Sequence, residues 1–256
     1  MAGVREIDLG THVLRVADHA FRGTADGRGD PPFVCLHGLV DTLEIWDRLS
    51  GPLAERRRTL RLDQRGHGES GAPAGPYRRE DLAADVVGLL DALGIERAVL
   101  VGHSMGGIIS MTTAVAYPER VAGMVLLGTA SRCNERTAQW YERIAQAGET
   151  DGCPGLARAI YGDKSKRRVT GDAKAIAAVT RTLASLYTDP LTPKLESLDC
   201  PVLLLVGEKD PMGPKASEII AGALPDAKLQ VLPGCGHWIH VEASDAVSDA
   251  IADWIR

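Results

Sequence analysis

The sequence predicts an α/β fold: a mostly parallel sheet of eight strands, flanked by helices and interrupted by one helical insertion. Three observations carry that prediction. Short aliphatic and β-branched runs alternate with amphipathic helical patterns along most of the chain, as in parallel strands joined by right-handed crossovers. The alternation fails once, between Ala130 and Pro193, and resumes at Val202. The run Val99-Leu100-Val101-Gly102-His103-Ser104-Met105-Gly106-Gly107 leads from an apolar strand into a helical pattern, Ile108 to Tyr117. A serine flanked by glycines at such a junction implies a sharp turn that strains its backbone and leaves no room for side chains at 102 and 106.

Each element has its own justification. Val4–Leu9 and His12–Ala17 suggest an edge hairpin, followed by a polar turn from Gly23 to Pro32. Phe33-Val34-Cys35-Leu36-His37-Gly38 is a continuous apolar run ending in a tight turn, as expected of a buried strand. Leu43 to Ala54 reads as a helix with Ile45, Trp46, Leu49 and Leu53 on one face, and Thr59–Asp63 as the next strand. Arg79–Leu93 places Leu82, Val86, Leu89, Leu90 and Leu93 at helical spacing before Gly94 stops it. Strands at 98–101 and 123–127 enclose the serine turn and a helix at 105–117 that Pro118 ends. The segment 130–193 is helix-rich, with glycine joints at 148, 152, 155 and 162, and is expected to cap a core made of 1–129 and 194–256. A strand at 202–206, a helix at 215–224, a strand at 228–232 and a helix at 244–255 complete the chain.

Composition narrows the function. With 256 residues and 45% hydrophobic content the chain can bury a large core, and the net charge of -5 suits neither a phosphate backbone nor an anionic membrane. The compact basic run Arg56-Arg57-Arg58 closes a predicted helix, where cations suit the negative end. Residues 1–6 hold no apolar signal core, and no apolar stretch reaches bilayer length. The five cysteines are scattered and never spaced like metal ligands, which points to a reducing cytoplasm. The expected partner is a small-molecule substrate, with no nucleic acid and no membrane, for a monomer or homodimer.

A serine hydroxyl becomes a useful nucleophile only when a base takes its proton and a carboxylate orients that base. In open parallel sheets such groups gather at the carboxyl ends of strands. There the chain places Gly207-Glu208-Lys209-Asp210-Pro211 and Gly234-Cys235-Gly236-His237-Trp238. His237 alone among seven histidines follows the last strand on a glycine-flanked loop. His37 and His67 sit in glycine-rich turns, where ring nitrogens usually satisfy backbone groups. Both Glu208 and Asp210 are candidate acids, and Asp210 could equally cap the helix that follows. The N–H of Met105, at the start of the new helix, is one candidate donor to an oxyanion.

Leu36-His37-Gly38-Leu39, Asp63-Gln64-Arg65-Gly66-His67-Gly68-Glu69-Ser70, Gly102-His103-Ser104-Met105-Gly106-Gly107, Gly207-Glu208-Lys209-Asp210 and Gly236-His237-Trp238, in this order, resemble the α/β-hydrolase superfamily over essentially the whole chain. The His-Trp ending is similar to small carboxylesterases and to ring-cleavage carbon–carbon hydrolases. The region from Gly75-Pro76-Tyr77 to Gly94-Ile95-Glu96 resembles 3-oxoadipate enol-lactonases. The resemblance implies a catalytic triad of Ser104, Asp210 and His237, with Leu39 as the second oxyanion donor. It implies no metal and no organic cofactor. Val40, His103, Trp140, Met212 and Trp238 are the candidate pocket residues, although His103, adjacent to the serine on a tight turn, should point away from it. The basic run Lys164-Ser165-Lys166-Arg167-Arg168 reads as solvated, so no cation is placed in the pocket. The expected substrate is therefore a small or medium neutral ester, lactones included. Anionic lactones or dienoates would require a cap arginine such as Arg158, and a hydrolase-fold receptor with little turnover is a remaining alternative.

Overall fold

The computed structural model describes residues 3–21 and 29–255; the first part of the polar turn, 23–28, lies outside them, as do residues 1 and 2 of the N-terminal stretch. Eight strands, β1 (Gly3–Asp8), β2 (Val13–His19), β3 (Phe33–Leu36), β4 (Thr59–Leu62), β5 (Ala98–His103), β6 (Val121–Leu127), β7 (Val202–Gly207) and β8 (Ala227–Leu232), form one sheet. Their order is β1-β2-β4-β3-β5-β6-β7-β8. The edge hairpin β1–β2 is antiparallel, β2 meets β4 antiparallel, and every pairing from β4 to β8 is parallel. Parallel pairing puts the carboxyl ends of β3, β5, β6, β7 and β8 along one edge, and the loops there carry the site.

Helices α1 (Asp47–Ala54), α2 (Arg79–Ala92) and α3 (Met105–Ala116) flank the sheet in the first half of the chain. Between β6 and β7 come α4 (Glu135–Tyr161) and α5 (Ala173–Ala184), and α6 (Gly213–Ala223), α7 (Ile239–Glu242) and α8 (Ser244–Trp254) follow. The two-residue period of the strands sorts their side chains. Phe33, Cys35, Val99, Val101, Val125 and Leu127 pack with Leu49, Leu53 and Ile251 on one face. On the other, Val34, Leu36, Leu100, Met124 and Leu126 pack with Leu82, Val86, Leu89 and Ile108 of the helical layer. Each fully buried aliphatic side chain contributes about 1.5–3 kcal/mol, so both layers are needed to hold the sheet.

Two elements differ from expectation. The helix expected at 43–54 opens as a 3₁₀ turn, Leu43–Trp46, because the Asp63 carboxylate takes the Leu43 N–H at 2.7 Å and fixes the entry of the chain. The one-turn α7 has no counterpart in the sequence reading, being too short for a periodic pattern to register.

In the insertion, α4 is interrupted at Gly152 (φ 66°) and lies against α5. Arg181 on α5 reaches Glu142 at 3.0 Å and Glu149 at 2.5 Å on α4. Tyr141, Ile144, Leu156, Ile176, Val179 and Leu183 continue the apolar cluster that contains Leu36 and Met105. The insertion has a closed neck: Leu191 N–H donates to Ser131 O at 2.7 Å, and the Ser131 and Thr192 hydroxyls stand 2.6 Å apart. A second seam joins it to the loop after β4, where Gly68 N–H donates to Thr170 O at 3.0 Å and Asp172 N–H to Gly66 O at 2.8 Å.

Candidate active site

Ser104 sits between β5 and α3 with φ 51° and ψ −112°, a conformation L side chains rarely adopt. The turn is over-determined. Ser104 N–H donates to Leu127 O at 2.9 Å, and Thr129 Oγ1 donates to Ser104 O at 2.7 Å. A Cβ on Gly102 would meet Gly106 O at 2.4 Å and one on Gly106 would meet Leu36 O at 2.0 Å, the steric demand inferred from the sequence. Ser104 occupies the N-cap position of α3, yet its side chain makes no capping hydrogen bond. The hydroxyl is thereby left at the positive end of the helix, beside the first-turn N–H groups that begin with Met105.

Asp210 follows β7 and is 5% exposed. Its Oδ2 stands 2.9 Å from His237 Nδ1, while Oδ1 accepts the Met212 N–H at 2.8 Å. The carboxylate thus orients the imidazole and closes the turn before α6 with separate oxygens. Glu208 does not reach the imidazole: its carboxylate accepts the Gly234 N–H at 2.8 Å. His237 lies in a loop held by Glu242, whose carboxylate accepts the N–H of Gly236 at 2.6 Å and of Trp238 at 3.1 Å. Gly128, at the end of β6 with φ 52°, makes room for the pair, since a Cβ there would fall 2.7 Å from Asp210 Oδ2 and 3.3 Å from His237 Nδ1.

Hydrogen bonds account for His37, His67 and His103. Gln64 N–H donates to His37 Nε2 at 3.0 Å, so Nδ1 carries the proton and donates to Gly38 O at 2.8 Å. His67 Nδ1 bonds Arg65 O at 3.0 Å. Burial lowers His37 to about 4 and His67 to about 3. His103 is 1% exposed, and its Nε2–H donates to His237 O at 3.0 Å. It therefore supports the His237 loop, and its burial agrees with the direction expected of it on the tight turn.

Of the remaining pocket candidates, Val40 borders a cavity of about 660 Å³ shared with Asp41, Tyr161 and Arg167. Met212 borders another of about 750 Å³ on the Asp210 side, with Tyr141 and Tyr187. The Trp238 ring lies 5.1 Å from His237 and 6.0 Å from Tyr161. Trp140 is 39% exposed, and it is the adjacent Tyr141 that turns to the cavity, because consecutive helical residues point about 100° apart.

Several site residues escape a reading of the sequence. Gly128 has a signal, a glycine directly after a strand end; Glu242 has one too, an acid four residues beyond Trp238. Asp41 has none. The basic run at 164–168 is exposed throughout, as expected, yet the Arg167 guanidinium lies 4.4 Å over the Trp238 ring and 5.1 Å over Tyr161. Arg158, the cation expected for an anionic substrate, is instead paired with Asp151 on its own helix.

This arrangement can be set beside known proteins. The chain is 29% identical to a 2-(acetamidomethylene)succinate hydrolase of Mesorhizobium japonicum, over 98% of this chain and 94% of the other. An esterase from Thermogutta terrifontis superposes with a TM-score of 0.85 at 25% identity, covering 99% and 98% of the two chains. The enol-lactonase from Burkholderia xenovorans does so with 0.84 at 27% identity, covering 99% of each. The family model of alpha/beta hydrolases matches residues 33–250, which take in the Ser104 turn and the loops bearing Asp210 and His237. On fold, order of elements and this match together, the chain belongs to the alpha/beta hydrolase family.

Proposed function

We propose that the chain is a serine hydrolase of carboxylic esters, lactones included, acting through Ser104, His237 and Asp210. The observation that carries this reading is a serine held in strained geometry with an uncommitted hydroxyl, at the same sheet edge as an imidazole oriented by a carboxylate at 2.9 Å. His237, protonated on Nδ1 toward Asp210, offers Nε2 to the serine proton. Ser104 Oγ attacks the carbonyl, and the oxyanion is received by the N–H groups of Met105 and Leu39. Such donors are worth about 3–4 kcal/mol each when preset toward the developing charge. The imidazolium then protonates the departing alkoxide, and water repeats the sequence on the acyl-enzyme. Residues 130–193 act as the cap over these loops, with Tyr161 bordering the cavity at Val40 and Tyr141 the separate one at Met212.

The sequence argued for neutral substrates because no cation could be placed near the serine. Arg167 over Trp238 removes that argument and favours a second reading, an ester or lactone that also carries a carboxylate. The names of two relatives, a succinate-derivative hydrolase and a 3-oxoadipate enol-lactonase, describe acid-bearing molecules. One experiment tests both readings. Ser104→Ala is expected to abolish fluorophosphonate labelling and turnover in a folded protein. kcat/KM is then compared across short aryl esters, long-chain esters, 3-oxoadipate enol-lactone and a meta-cleavage dienoate, with and without Arg167→Gln. A preference for the acid-bearing lactone that Arg167→Gln removes establishes the second reading; turnover confined to the dienoate refutes ester hydrolysis.

A further inference from the structure

Beyond the three proposed catalytic groups, one buried carboxylate links the loop that bears His237 to the end of α4. Asp41 is 9% exposed and follows β3, two residues after Leu39. Its Oδ2 accepts a hydrogen bond from Trp238 Nε1 at 3.2 Å, and its Oδ1 one from the Tyr161 hydroxyl at 3.3 Å. Trp238 directly follows His237, and Tyr161 is the last residue of α4. Oδ2 also lies 3.9 Å from Nδ1 of His103, the residue that precedes Ser104. A single side chain thus hydrogen-bonds to the base-bearing loop and to the insertion, and lies beside the nucleophile strand.

The backbone around it needs such anchoring. Val40 has φ 62°, a region β-branched residues rarely enter. The Asp41 N–H closes the turn onto Gly38 O at 3.2 Å. Gly38 is pressed against the nucleophile strand, where a Cβ would stand 2.8 Å from His103 Nδ1. Backbone conformations of this kind persist only where the surroundings over-determine them, and they concentrate at functional sites. Burial pushes the Asp41 carboxyl up to about 6, against the pull of its Trp238 hydrogen bond, Arg167, its Tyr161 hydrogen bond and His237.

We propose that Asp41 is a positioning residue for hydrolysis. It keeps the 38–41 loop on the strained path that directs the Leu39 N–H toward the reacting carbonyl, and it locks that loop to the His237–Trp238 segment and to the end of α4. Oxyanion donor and base then converge while the insertion is seated on Asp41. The proposal rests on the triad and oxyanion reading above and adds the group that holds those parts in register.

The test compares Asp41→Ala, Asp41→Asn, Trp238→Phe and Tyr161→Phe, with kcat and KM on one aryl ester expressed per serine titrated by a fluorophosphonate. Titration counts only folded, competent sites, so a loss of stability does not pass for a loss of rate. Asp41→Ala is expected to lower kcat about 100-fold, the scale of a misplaced oxyanion donor, with KM within about threefold of wild type. Asp41→Asn keeps one acceptor oxygen and is expected to recover about tenfold of that loss. The Asp41→Ala and Tyr161→Phe effects are expected to combine less than additively, because both break the Asp41–Tyr161 link. A kcat per titrated site within about twofold of wild type in Asp41→Ala overturns the proposal, leaving Asp41 a purely structural residue. Turnover that survives Ser104→Ala overturns the triad reading itself and this proposal with it.

Discussion

Replacing Asp210 by asparagine tests the site at its most determinate point. The two carboxylate oxygens have different partners, Met212 N–H at 2.8 Å and His237 Nδ1 at 2.9 Å. An asparagine must therefore choose an orientation. With its oxygen on the Met212 N–H, its amide donates to His237 Nδ1 and drives the imidazole proton to Nε2, where it blocks uptake of the serine proton. The flipped orientation restores the tautomer but sets the amide NH₂ against the Met212 N–H, leaving a buried donor unpaired at a cost of about 1–3 kcal/mol. The Met212 N–H thus selects the inactive tautomer. If the serine-protease precedent transfers, kcat falls about 10⁴-fold, close to 5.5 kcal/mol of barrier, while the oxyanion donors stay in place. The assay is steady-state kcat normalised to folded protein by circular dichroism, with Glu208→Gln as control because Glu208 serves only Gly234 N–H among the hydrogen bonds described. An Asp210→Asn enzyme within tenfold of wild type, or a Glu208→Gln enzyme more damaged than it, would refute the reasoning.

Two further outcomes are expected. His37 at about 4, His67 at about 3 and His240 at about 3 are all depressed by burial, and their unfolded value is near 6.5. Below pH 6.5 the unfolded chain takes up protons that the folded chain refuses, so stability falls as pH drops from about 6.5 toward 4, by up to about 1.4 kcal/mol per pH unit for each histidine. Asp41, raised to about 6, works in the opposite direction between about 4 and 6, but it is one group against these three and His103, which burial also lowers. The melting temperature should accordingly drop by about 10 °C between pH 7 and pH 5, and a flat profile would contradict the burial of these rings. Gly128→Ala puts a methyl 2.7 Å from Asp210 Oδ2 at a positive φ of 52°. It should lower the melting temperature by several degrees and kcat by about 100-fold through displacement of the acid–base pair; unchanged kcat would show that the crowding is relieved elsewhere.

What the sequence disclosed follows the range over which its signals act. Strand and helix alternation is a local pattern repeated many times, and it places all eight strands within a few residues. The Ser104 turn is legible because its glycines answer a steric demand within four residues of chain. The loops of Asp210 and His237 can be located because parallel pairing brings strand ends to one edge, while the choice of Asp210 over Glu208 comes from the resemblance to the α/β-hydrolases. Asp41 and Arg167 are not legible for a common reason: each acts through a partner fixed by tertiary packing. Nothing near Asp41 in sequence announces that Trp238 Nε1, 197 positions away, donates to it. Arg167 resides in a charged run that is exposed as its composition says, and only tertiary packing brings the Trp238 ring beneath its guanidinium. The direction of Trp140 is lost to the sequence because aromatic content marks a docked helix without telling which of two neighbours faces in.

The neck at Ser131, Leu191 and Thr192 bears on how such a protein diversifies. Its hydrogen bonds hold the two ends of the insertion together at one point, between strands β6 and β7 that pair directly with each other. To the sheet, everything from 132 to 190 is a single closed loop, and the entropy of closing a loop grows only with the logarithm of its length. Helices can lengthen, shorten or be exchanged beyond that point while the strand register beneath is undisturbed. Sequence change can therefore accumulate on one side of the neck while the strand pairing on the other stays as it is.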